Sequence, residues 1–239
     1  MDFSFNPMMW GNYMNNNLLI YFLVAMIVPM IAHGYLMSTF GRFKRKRASS
    51  GLTGHDVARR MLDRNGLYDV RIEITKGKLS DHYDPRSRTV RLSPDIHNTA
   101  SVAAVSVAAH EVGHAIQHAE DFGPLKLRSA LVPVVNISNR LGFIAILVGM
   151  FLDMFVIAQI GIILIAAIFI FQLITLPVEF NASTRAMSGM EDLNILHDPN
   201  EKRGARKVLT AAALTYVAAL IVALMELLRW VAILNNRRR

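Results

Sequence analysis

The chain has no cysteine, which excludes disulfides, thiolate zinc ligands and cysteine nucleophiles, and agrees with a reducing compartment. No lysine or arginine precedes Arg42. A secretory leader opens with a basic stretch ahead of its apolar run, so no cleaved leader is expected before Leu18. There are no internal repeats, which argues against a small transporter built from them. The low-complexity content is the short run Asn15-Asn16-Asn17. Charge is sparse: 18% of the 239 residues are Asp, Glu, Lys or Arg, against 53% hydrophobic. That balance leaves too little polar chain to cover a soluble core, and it points to an integral membrane protein.

Four long apolar stretches carry the hydrophobic content. Leu18 to Met37 is the first. Leu141 to Val178 is too long for one crossing and is broken by Asp153, so it reads as two helices, near Val132–Leu152 and Phe155–Leu176, joined by a tight turn. Val208 to Leu234 is the fourth, with Glu226 and Arg229 spaced to pair on one helix face. Basic residues set the orientation. Arg42, Lys44, Arg45, Lys46 and Arg47 follow the first run directly. The N-terminus is therefore expected outside and residue 42 onward in the cytoplasm. The apolar hairpin then returns residues 179–207 to the cytoplasmic side, in agreement with Lys202, Arg203, Arg206 and Lys207. Arg237, Arg238 and Arg239 at the far end of the last span oppose this orientation but are outvoted. The net charge of +8 comes mainly from residues beside apolar runs, where they meet lipid head groups, so nucleic acid is not an expected partner.

Residues 48–130 form the one substantial polar block. Thr53 is a plausible N-cap for a helix over His55–Arg64 that Asn65-Gly66 would end. Val70–Ile74 alternates apolar and polar residues as a half-buried strand does, and Arg88–Leu92 reads as a second strand after the turn Asp84-Pro85-Arg86-Ser87. Within that second strand, Thr89–Leu92 is a candidate open edge to which an extended peptide could add; an ordinary sheet strand is the alternative. Ser93-Pro94-Asp95 opens a short helical turn. The stretch Thr99–Glu120 lacks proline and has apolar residues at helical spacing.

Within that stretch lies His110-Glu111-Val112-Gly113-His114. Histidines four apart share one helix face and can converge on a single zinc ion, one per chain, with Glu111 near the position of a bound water whose proton it can take. Two histidines and a water leave catalytic zinc one protein ligand short. His118 lies a full turn beyond His114 and would point past the metal. A third histidine of the metzincin kind is excluded, because the required positions hold Gln117 and Glu120. Glu179 is the better candidate, since it stands where the apolar hairpin returns to the side of the histidines.

H-E-x-x-H, two apolar helices and then E-x-x-A-x-x-x-A resembles the membrane metallopeptidases of the HtpX and CaaX prenyl protease type. The chain resembles the YugP-type neutral zinc metallopeptidases more closely, through HEVGHAIQH, HYDPRSRTVRLSP, LPVEFNASTRA and GARKVLTAAALTYVA, over most of its length from residue 50 onward. The resemblance implies a membrane-bound zinc endopeptidase with ligands His110, His114 and Glu179 and with Glu111 as base. Ser183 stands where the HtpX type has an aspartate supporting the site, so Ser183, Asn181 or another acid must supply that support. A donor for the reaction's oxyanion is expected among His197, Arg185, Arg203 and Tyr216. His197 is the first choice, because His197-Asp198-Pro199 with Arg203 is similar to a stretch downstream of the ligand glutamate in the HtpX type. Its plainer reading is a surface-loop histidine.

The expected molecule is a mainly α integral membrane protein of the cell membrane. It has about four transmembrane helices and a small α+β zincin-like peptidase domain. Its segments are 1–41 (outside segment and first span), 42–130 (cytoplasmic domain), 131–178 (hairpin), 179–207 (third-ligand helix and loop) and 208–239 (last span and basic tail). The expected activity is hydrolysis of peptide or membrane-protein substrates at the cytoplasmic face. Alternatives are a processing protease for lipidated or membrane-embedded peptides and a non-catalytic scaffold retaining a structural metal. Nothing in the sequence indicates an oligomeric state.

Overall fold

The computed structural model describes residues 16–237. The expected outside segment before Asn16, and Arg238 and Arg239 of the basic tail, lie outside the described residues. The chain is mostly helical: α1 Asn16–Lys44, α2 Gly54–Arg64, β1 Arg71–Ile74, β2 His82–Asp84, β3 Thr89–Leu92, α3 Pro94–His97, α4 Val102–Ala119, α5 Gly123–Phe151, α6 Phe155–Asp192 and α7 Pro199–Arg237. Four helices are long and apolar enough to cross a membrane: Leu19–Lys44, Gly123–Phe151, Phe155–Asp192 and Pro199–Asn235. The expected segment boundaries at 41, 130, 178 and 207 all fall inside continuous helices.

The chain forms two compact units. One comprises residues up to Ile31, Leu131–Leu173 and Val217 onward. Here α5 and α6 form a hairpin through Leu152-Asp153-Met154, with Asp153 in the left-handed region at φ 57°. Small residues let the two helices close together: Gly149 faces Ala158, and a Cβ on Gly161 would lie 2.6 Å from Ile146 Cγ1. Trp230 of α7 packs edge-on to Phe143, with ring centroids 5.6 Å apart, and Arg229 pairs with Glu226 as their spacing predicts. Apolar side chains cover the surface of this unit, Ile163, Val156 and Phe151 among them. Such a surface is suited to lipid rather than water.

The other unit spans Ala32–Ala130 and Ile174–Tyr216. Thr53 caps α2 in a reciprocal capping box: its hydroxyl accepts from Asp56 N, and Asp56 Oδ2 accepts from Thr53 N at 2.9 Å. The amphipathic α2 then packs against α4, burying Val57, Met61 and Leu62 with Val105 and Val112. The sheet has the order β1-β3-β2, with β1 parallel and β2 antiparallel to β3. This arrangement corrects one expectation and adds a strand. Thr89–Leu92 is the central strand, bonded on both sides and largely buried, so it offers no edge to a peptide. The edge beside it belongs instead to His82–Asp84, a three-residue strand too short to show alternation. Ser101 caps α4 by accepting from Ala104 N at 3.2 Å, and Arg47 pairs with Ser101 in an isolated bridge just before that helix.

Candidate metal and catalytic site

α4 and α6 supply the chemistry, and a glycine allows them to meet. A Cβ on Gly113 would lie 2.6 Å from the carbonyl oxygen of Ala182 and 3.1 Å from its Cα. Only glycine at this position permits so close an approach of the two backbones. Ala182 lies three residues, nearly one turn, after Glu179, so this contact draws the Glu179 carboxylate up to the histidines.

The Oε2 atom of Glu179 is 3.2 Å from His110 Nε2 and 3.5 Å from His114 Nε2. The two imidazoles stand nearly perpendicular, at 84°, with centroids 4.8 Å apart. The three candidate ligand atoms all lie within 4.8 Å of one another. The histidines are also held from behind. His114 Nδ1 is 3.0 Å from Gln117 Oε1, and His110 Nδ1 is 3.2 Å from Ser183 Oγ. Gln117 is fully buried. Its amide nitrogen donates to Val178 O at 2.8 Å and to Asn181 Oδ1 at 3.0 Å, which orients its oxygen as the acceptor. Nδ1 of His114 must then carry the proton, leaving the Nε2 lone pair aimed at Glu179.

With its proton held on Nδ1, His114 presents the Nε2 lone pair to Glu179 Oε2, one acceptor facing another, and this pair calls for a positive charge between them. Burial works against a proton on His114, but the adjoining Glu179 carboxylate outweighs it and raises His114 above the ordinary histidine range. A divalent cation meets the same demand better, and the N, N, O donor set suits zinc. Buried Glu179 Oε1 has no hydrogen-bond partner among the described residues; Arg128 Nη1 approaches it to 3.5 Å.

Glu111 lies beside His110 at a cleft of about 130 Å³ that Asp81 and Tyr216 also line. Burial raises the Glu111 carboxyl above its usual range, opposed by the two histidines. Asp81 is likewise raised by burial, although it accepts from Ser93 N at 2.6 Å. The remaining wall is apolar, formed by Leu36, Phe40, Leu79, Val107 and Leu209 with their neighbours.

His197 lies elsewhere. It is exposed, and its backbone N–H donates to Ser49 Oγ at 3.2 Å. The structure does not bring it to the cleft, and the surface-loop reading describes it. His118 faces away from the cluster toward Tyr83, with 2.9 Å between its Nδ1 and the phenol oxygen. Arg185 binds Asn181 and Glu120, so it braces the helices rather than lining the cleft. Sequence reasoning missed Gln117 as a support, having used it only to exclude a third histidine. It also missed Arg128 and Asp81, for which no local pattern exists.

A family model described as "Putative neutral zinc metallopeptidase" matches residues 18–235. The chain is 51% identical over 201 residues to the "Putative membrane protease YugP" of Bacillus subtilis (strain 168), covering 84% of this chain and 89% of that protein. No solved structure matches.

Proposed function

The chain belongs to the family described as "Putative neutral zinc metallopeptidase", and from that premise we propose that it is a membrane-bound zinc endopeptidase with a zincin-like site at the cytoplasmic membrane surface. The observation that carries this reading is the convergence of His110 Nε2, His114 Nε2 and Glu179 Oε2 next to the buried carboxyl of Glu111. His110, His114 and Glu179 would hold one zinc, which supplies the positive charge that acidifies water and polarises a carbonyl.

The protein's own groups do the rest. Glu111 accepts the proton of the attacking water and passes it to the leaving amine nitrogen; its burial lifts its affinity for that proton toward the working range of a general base. Tyr216 lines the cleft with His110 and Glu111, and its hydroxyl donates to the oxyanion that develops on the attacked carbonyl. Arg128 holds Glu179 from the opposite side of the carboxylate. The apolar wall receives an apolar side chain beside the scissile bond, and this favours substrates from membrane-associated or hydrophobic peptide segments over polar ones.

The test pairs metal analysis with hydrolysis. The purified full chain is expected to bind one zinc, and His110→Ala, His114→Ala and Glu179→Ala are each expected to lose most of it. Glu111→Gln is expected to keep zinc while hydrolysing peptides about 100-fold more slowly or worse. Wild-type turnover in Glu111→Gln, or full zinc in Glu179→Ala, overturns the proposal.

A further inference from the structure

A second concave site lies apart from the cleft just described, and it is basic. Arg42, Arg45 and Lys46, at and just beyond the end of α1, line a pocket of about 590 Å³ together with Arg203 and Lys207 from the first turns of α7. The pocket depends on close helix packing. Phe43 is buried, and a Cβ on Gly204 would lie 2.5 Å from Phe43 Cε1 and 2.8 Å from Cδ1. Any larger residue at 204 would displace the Phe43 ring that packs α1 against α7 beneath the cations.

The five cations are under-neutralised. Lys46 reaches Asp198 at 3.8 Å, a loose and exposed pair. Arg203 donates to the neutral oxygen of Asn200 at 2.7 Å. Among the described residues, Arg42, Arg45 and Lys207 form no ion pair. Cations gathered in one hollow repel one another, so the arrangement calls for an anion with several acceptor oxygens. The chain position indicates which anion. Arg42 closes the apolar run of α1, and Lys207 directly precedes that of α7. Helix ends that flank apolar spans sit in the head-group layer, and basic pockets between such ends collect anionic head groups.

We propose that this pocket is a binding site for the phosphate head group of an anionic phospholipid, which bridges the end of α1 to the start of α7. The chemistry recognised is an anionic phosphate group carrying an apolar tail; a free phosphate shares the first part and lacks the second. The site does not depend on the peptidase reading, because none of its residues belongs to the zinc cluster or the cleft.

Two charge-matched double variants separate a built site from general attraction to a negative surface. Arg45→Gln with Lys207→Gln removes two pocket cations. Arg47→Gln with Arg206→Gln removes two exposed cations, each next in sequence to a pocket cation, that do not line the pocket. The full chain in detergent is titrated with phosphatidylglycerol or phosphatidylcholine, and bound lipid is counted by native mass spectrometry. Inorganic phosphate is added in a separate arm. Each cation at a membrane surface is worth about fivefold in affinity, so the pocket variant is expected to bind phosphatidylglycerol on the order of 25-fold more weakly. The control variant is expected to match wild type, and phosphatidylcholine to bind neither specifically nor differently among the three proteins. Gly204→Val, which leaves every charge in place, is expected to weaken phosphatidylglycerol as well. Equal losses in both double variants, or undiminished binding in the pocket variant, overturn the proposal. So does inorganic phosphate displacing the lipid at comparable concentration, which would make this a soluble-anion site.

Discussion

Substituting alanine for Gly113 adds one methyl group at the point on which the candidate metal site depends. The new Cβ would lie 2.6 Å from Ala182 O, roughly 0.8 Å inside the 3.4 Å at which ordinary contact begins. Its three nearest neighbours are all backbone atoms of Ala182, so no side chain can rotate away. α4 and α6 must therefore separate by several tenths of an ångström. Glu179 is carried on the moving helix, and its 3.2 Å and 3.5 Å approaches to the histidines open by a comparable amount. Gln117's bonds to Val178 O and Asn181 span the same interface and stretch with it. Overpacking of this kind costs about 1–3 kcal/mol of stability. Losing ligand geometry together with its support lowers metal affinity by about 10- to 100-fold. Zinc affinity is measured by competition with a chromophoric chelator, and stability by thermal unfolding of the same preparation in detergent. Wild-type values of both in Gly113→Ala would refute the claim that this helix contact sets the site.

Other expectations follow from single contacts. Gln117→Ala leaves His114 Nδ1 and Val178 O without the partner they share and should weaken zinc binding about tenfold or more, while Gln117→Glu, which still accepts from Nδ1, should recover part of it; metal titration decides. Tyr216→Phe should lower kcat about 100-fold with zinc content and KM little changed, whereas His197→Ala should leave kcat, KM and zinc as in wild type; the reverse pattern would return the oxyanion role to His197. Single cysteines at Ser49, Asp153 and Asn194 in this cysteine-free chain report topology in intact cells. Only the Asp153 site should react with an impermeant thiol reagent, and labelling of Asn194 without Ser49 would separate Glu179 from the histidines across the membrane.

Much of the architecture can be read directly from the residues, because its causes are local. Length and unbroken apolarity define a span, so the four long helices and the break at Asp153 are visible in the chain. Thr53 marks a helix start, and the four-residue interval from His110 to His114 places two imidazoles on one face. Similarity across most of the chain adds the family and, with it, the expectation of zinc. Only the tertiary structure decides what depends on elements distant in sequence. β2 is three residues long, and the sequence cannot show that it pairs with Thr89–Leu92 and turns that strand from an edge into the centre of the sheet. Gln117 and Gly113 look like filler until α6 lies against α4, and Arg128 gains meaning only beside Glu179. His197 was favoured by a motif-like neighbourhood, yet a surface loop holds it where it touches Ser49. A sequence pattern specifies which face of its own helix a side chain occupies, but the partner across an interface is determined by packing, and packing has no period in the chain.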